Sequence, residues 1–144
     1  MPGLRTAART PDPMTRPQRD EFWRRFYAQI ERYREAGAEC EVAINQFEVR
    51  RWDVKFTMRR SRPSAASVTL AILEHAPSRD QFLLAVTATY TVDDAVTEDD
   101  RFFIPVFLNP ASDRFLLHAD RGPVDEPQMP EFFARSAAEL LRGI

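Results

Sequence analysis

From residue 41 to residue 118 the chain repeats one pattern: a segment in which apolar and polar side chains alternate, then a link too short to hold a helix. Strands that follow one another this closely leave no room for the crossover of a dozen or more residues that a parallel pair needs, so they pair as antiparallel neighbours. Alternation also gives each strand one apolar face, so the sheet presents a single greasy side. Val42 and Ile44, then Phe47 and Val49, then Val54, Phe56 and Met58 carry the first stretch. It reads as one long bent strand or as a hairpin turning near Arg51–Trp52–Asp53, and the hairpin is preferred. After a loop at Ser61, Pro63 and Ser64, alternation resumes through Val68, Leu70 and Ile72. Residues 76–80 form a connector of hairpin length, and Phe82, Leu84, Val86, Ala88, Tyr90 and Val92 mark a long fourth strand. Asp93, Asp94, Glu98, Asp99 and Asp100 predict a solvated acidic loop. Phe102 to Leu108 predicts a fifth strand, with Pro105 arguing for an edge position or a bulge, and Asn109 to Asp113 turns into a sixth over Arg114–His118.

A sheet with one greasy side needs a cover, and the flanking segments supply two helices. Thr15 precedes the first as a candidate cap, Pro17 suits its first turn, Asp20 and Glu21 sit where the macrodipole favours carboxylates, and Gly37 ends it. Phe22, Trp23, Phe26, Tyr27, Ile30 and Tyr33 recur every three or four residues and make one broad aromatic face. Such a stripe is core before it is a cofactor site. Residues 119–129 run without period. The second helix starts at Pro130, carries Phe133, Ala137, Leu140 and Leu141 on one face, and stops at Gly143. The expected fold is α+β: a mainly antiparallel sheet of five to six consecutive strands, covered on one face by an N-terminal and a C-terminal helix. Residues 14–144 make one domain, a size suited to a single core. Residues 1–13, with three prolines and almost no large apolar side chain, read as a flexible tail, and Met14 is an alternative start.

The longest strongly apolar stretch, Phe102 to Leu108, is interrupted by Pro105 and is far shorter than the ~20 residues of a membrane helix. No apolar h-region follows Arg5 and Arg9, so a secretory signal is not expected, and the lone Cys40 fits a reducing compartment; the expected location is the cytoplasm. Charge is split along the chain. Residues 1–72 hold 14 basic and 9 acidic side chains, and residues 73–144 hold 6 and 13. A bipolar field of that kind favours oriented contacts, including antiparallel self-association.

Nucleotide-binding glycine loops, zinc-type His/Cys spacings and nucleophile elbows are all missing, and four glycines leave little material for a phosphate cradle. Cofactors and metals are therefore not expected. His118 with Asp120 and Arg121 is a candidate acid/base group, because i and i+2 on a strand point the same way. Cys40 between Glu39 and Glu41, just after a helix C-terminus, should be a poor nucleophile. Arg50, Arg51, Lys55, Arg59, Arg60 and Arg62 lie within thirteen residues, interleaved with Trp52 and Phe56, the ingredients of a single-stranded nucleic-acid surface. A sheet with one wet face also produces them, and a pI of ≈ 5.7 disfavours nucleic acid as the partner. No motif ties the chain to a named family; its size, acidic pI and element order loosely resemble those of small dimeric secretion chaperones and other adaptor-like bacterial α+β proteins, a likeness of order alone.

The leading expectation is a non-enzymatic binding or adaptor protein, a homodimer or a binder of another protein, acting through a sheet face or edge. A second is a small-molecule pocket between sheet and helices with Tyr90, Trp52 or His118 as polar contacts. The third is nucleic-acid binding through the arginine strip.

Overall fold

The computed structural model describes residues 14–48, 51–78 and 80–144. The first helix, α1, spans Arg16–Glu35, and its start is set by a reciprocal pair of hydrogen bonds. The Gln18 N–H donates to the Thr15 hydroxyl at 3.3 Å, and the Thr15 N–H donates to Gln18 Oε1 at 2.8 Å, so two helix-end donors are satisfied. At the other end the Ala36 and Gly37 amides close onto Arg32 and Arg34 carbonyls, with Gly37 in the left-handed region at φ 82°. Asp20 and Glu21 fall beyond the first turn, which holds no acidic residue; Glu21 instead pairs with Arg24 and Arg25.

Seven strands follow: β1 (Glu41–Glu48), β2 (Arg51–Arg60), β3 (Ala66–His75), β4 (Leu83–Val92), β5 (Ala95–Asn109), β6 (Arg114–Ala119) and β7 (Gly122–Asp125). They lie in chain order, and every neighbouring pair is antiparallel. The fold is α+β as expected, with one strand more than the sequence reading allowed. The addition is β7, four residues long, which folds back on β6 through a turn that places Gly122 at φ 127°. The first stretch is a hairpin, but Glu48 stands opposite Arg51, so the reversal precedes Arg51–Trp52–Asp53 and these three belong to β2.

The acidic loop is not there. Asp93 and Asp94 form a two-residue turn with φ of 50° and 67°, a conformation that aspartate tolerates better than most residues, and β5 begins at Ala95. Asp99 and Asp100 stand opposite Thr89 and Ala88 as strand residues. Carboxylates are accommodated because this half of β5 has a strand on one side only: β4 pairs with residues 95–105, whereas β6 joins at Val106 and continues to Asn109. Pro105 marks the changeover. The Val106 N–H donates to the Phe82 carbonyl at 2.9 Å, so by alternation the Pro105 nitrogen faces away from β4, and the proline removes no rung of that ladder.

The greasy face collects Val54, Phe56, Val68, Leu70, Ile72, Leu84, Val86 and Ala88, all buried. A second helix, α2 (Met129–Arg142), lies over β2 and β3, and α1 packs beside it. Phe22 is the centre of an aromatic cluster, with the rings of Trp23, Phe26, Phe82 and Phe115 between 5.3 and 5.6 Å away. Phe133 of α2 bridges the layers, 5.9 Å from Phe26 and 5.5 Å from Phe56. One carboxylate, Glu126, is buried with them: it accepts the Phe115 N–H at 3.1 Å and faces the Arg25 guanidinium at 3.5 Å, which itself lies over the Phe115 ring.

Because Phe133 joins both helices to the sheet, Phe133→Ala should destabilise the protein by about 3–5 kcal/mol, whereas Thr15→Ala, which removes only the cap, should cost about 1 kcal/mol. Urea unfolding followed by circular dichroism measures both; equal losses would contradict this division of roles.

Candidate functional site

Among the described residues the arginine strip is divided between two faces of β2. Lys55 and Arg59 sit on the open face of β2, where Arg59 pairs with Glu41 at 3.3 Å. Arg60 turns to the helical side and donates to the carbonyls of Ser64 and Leu141 at 3.3 and 3.1 Å, tying the end of β2 to the end of α2. Arg62 is exposed in the following loop. Arg50 lies outside the described residues, as do the side chains of Arg51 and Trp52. Phe56, the other aromatic of the strip, is fully buried and stacks on no solvent-facing base site.

Tyr90 and His118 are also apart. The Tyr90 hydroxyl donates to Asp100 at 2.9 Å on the helical side of β4 and β5. His118 lies on the opposite face, half-buried, with its ring 3.9 Å from that of Phe107. Burial lowers its pKa below the usual histidine value. Arg121, expected beside it, reaches Glu139 instead at 3.6 Å. An open cleft of ≈ 610 Å³ lies between the start of α1 and the β3–β4 connector, lined by Met14, Thr15, Arg16, Arg19, Glu74, Ala76 and Ser78, and neither Tyr90 nor His118 reaches it. Glu74 there is held by the Trp23 indole N–H at 2.8 Å. Cys40 is buried against the Thr57 carbonyl, and burial pushes its thiol up to about 11. Among the described residues no three metal-ligating side chains converge, and no helix is long and apolar enough to cross a membrane.

What the structure does bring together is the free edge of β5. Asp100, Arg101, Phe102 and Phe103 are four consecutive exposed strand residues. Phe102 is 45% exposed on the helical side and Phe103 50% exposed on the other, its ring 5.1 Å from His75. Since the Val106 amide faces β4, the backbone groups of Arg101 and Phe103 point away from it, toward a side on which no described strand lies. The register continues this edge onto the uncovered sheet face. Leu73, Ala85 and Phe103 are direct neighbours across β3, β4 and β5, and His75, Leu83 and Pro105 form the adjoining row. An unpaired edge flanked by large apolar groups is where a sheet accepts another strand. Pro105 argues for an edge position or a bulge in this strand; what the sequence reading missed is that the strand extends back through residues 95–101, because the carboxylates there suggested a loop.

No family model matches the chain, and neither a curated protein nor a solved structure matches it.

Two groups yield solution tests. With its thiol near 11, Cys40 should be roughly one part in a thousand thiolate at pH 8, against roughly a quarter for an ordinary thiol, so a disulfide reagent should label the native protein far more slowly than the unfolded chain. For His118 the folded pKa lies below the unfolded one, so the unfolded chain takes up the proton first as pH falls. Its contribution is complete above the unfolded pKa, near 6.5, and is lost as pH falls from there toward the folded value. His118→Gln should flatten the fall in Tm across that window; an unchanged slope would contradict the assignment.

Proposed function

We propose that this is a non-enzymatic binding or adaptor protein that engages another protein, or a second copy of itself, through the open edge of β5 and the sheet face beside it. The observation that carries the reading is the run Asp100–Phe103, exposed in a regular strand with an aromatic ring on each side and outward backbone groups at Arg101 and Phe103. Main-chain hydrogen bonds to an added strand supply affinity there, and Phe102 and Phe103 supply side-chain contact on both faces. Of the groups that would have to meet for catalysis, Arg121 reaches Glu139 and His118 packs on Phe107, while Cys40 is buried against the Thr57 carbonyl. A lone buried thiol suits a reducing compartment, and the reading sets the protein in the cytoplasm.

The small-molecule alternative draws little support from an open cleft that neither Tyr90 nor His118 lines. The nucleic-acid alternative draws less support, with Phe56 buried and the described arginines Arg59 and Arg60 on opposite faces.

A photoreactive amino acid in place of Phe102, expressed in the cells the chain comes from, should give a discrete covalent adduct, to this chain or to another protein. Arg101→Pro removes one outward N–H without touching the ladder to β4 and should cut the adduct by about tenfold or more. A folded variant that forms no adduct at position 102, or one indifferent to Arg101→Pro, overturns the proposal.

A further inference from the structure

Resting on the reading of the β5 edge as the binding element, we infer that its occupant is an extended, lysine- or arginine-rich segment of another protein. The free stretch has definite ends. It begins at Ala95, after the Asp93–Asp94 turn, and β6 closes the other end, pairing Leu117 with Val106 and finishing at Ala119. That register carried on brings Ala119 level with Ile104, so the stretch with β4 as its one described neighbour is Ala95–Phe103. Its charge is one-sided: residues 93–101 hold five carboxylates and one guanidinium, a net of −4. Asp93, Asp94 and Asp100 are exposed, and so is Asp120, which follows the end of β6. Among the described residues none of these four forms an ion pair. Arg114 and Arg121 of the neighbouring hairpin engage Asp125 and Glu139 instead, and Asp100 accepts the neutral hydroxyl of Tyr90.

The open backbone makes the edge a place for a strand, and the charge selects which strand. A single cation does not fit: among the described residues no three metal-ligating side chains converge, and Asp94 and Asp100 are six residues apart, roughly 20 Å along an extended chain. The negative charge is drawn out along the edge and matches a row of cations. A second copy would lay its own acidic run against this one, and like charges opposite each other destabilise a strand pair. Side-chain alternation then sets the pattern of the partner. Asp100 and Phe102 lie on the helical side of β5 and Arg101 and Phe103 on the other. A complementary strand carries a cation across from Asp100, an uncharged residue across from Arg101, and apolar side chains across from Phe102 and Phe103. Directly opposed Cβ atoms are about 4.5–5.5 Å apart, so that cation meets its carboxylate in contact. Further cations in the direction of the Asp93–Asp94 turn meet the rest of the acidic run. The segment is therefore bipartite, an apolar pair joined to a basic run, and the attraction that steers it to the edge weakens with salt.

The test is a selection followed by a titration. A phage-displayed library of random peptides of about nine residues, matched to the free stretch, is selected on the full chain and counter-selected on Arg101→Pro, which lacks one outward N–H of the edge. The recovered peptides should carry lysines or arginines beside an apolar pair, with no central proline. A synthetic copy of the leading peptide, followed by fluorescence anisotropy, should lose affinity as sodium chloride is raised. It should bind the triple variant Asp93→Asn, Asp94→Asn, Asp100→Asn about fivefold more weakly or worse. Asparagine tolerates the left-handed turn and still accepts the Tyr90 hydroxyl, so this variant loses charge while its far-UV spectrum stays the same. Selection of neutral or acidic peptides, or of a basic one indifferent to salt and to the three asparagines, overturns the inference and leaves the edge as the binding element. An adduct at position 102 to a second copy, which the basic peptide fails to suppress, does the same. Recovery of no peptide that distinguishes the chain from Arg101→Pro sinks the reading of the edge as well.

Discussion

A meander seven strands long can exist by itself only if its apolar side is shut away from water, and here that closure depends on a few aromatic rings shared between elements distant in sequence. Phe22 reaches Phe82 and Phe115 from α1, and Phe133 reaches Phe56 from α2, while Phe26 joins the two helices. Full burial of large side chains is the dominant stabilising contribution in a domain of this size. α2 lies over β2 and β3 and touches β7, α1 packs beside it and touches β1, and their reach sets which parts of the sheet stay bare.

The same geometry explains why the molecule carries an open edge. β5 is a single strand serving two partners in succession, β4 along its first two-thirds and β6 along its last four residues. Pro105 permits the handover because its missing donor falls on the side where a strand has yet to begin. At the β6–β7 end of the sheet, Glu126 anchors the return of the chain to α2 by holding both the Phe115 amide and Arg25. A buried carboxylate of this kind is tolerable only when both a donor and a positive charge meet it, and both do.

Much of this arrangement was readable from residue order. Helix limits followed from Thr15, Gly37 and Gly143, and the inward strand positions from the period of two, since Val54 through Val86 are buried where alternation put them. The failures have physical causes. Asp93 and Asp94 looked like part of a loop because charge density says nothing about φ, whereas two left-handed aspartates make a hairpin turn of minimal length. β7 is too short, and has too few apolar residues, for periodicity to register. The arginine strip looked coherent in one dimension and came apart because adjacent strand residues face opposite ways, as Arg59 and Arg60 do. Pro105 hinted at an edge, but how far the edge stays open was harder to see, since openness is a property of what fails to lie alongside.

The placement of α2 has a consequence for how the chain comes into being. β2 and β3, whose oily surface it roofs, leave the ribosome some seventy residues before it does. At a synthesis rate of about 5–20 residues per second, the nascent hairpins wait several seconds with that surface bare. Strand order that matches chain order lets the sheet zip progressively, but the last tile of the roof arrives after everything beneath it is laid. Production of this protein should accordingly depend on ribosome-associated holdases more than the ease of its local pairings suggests.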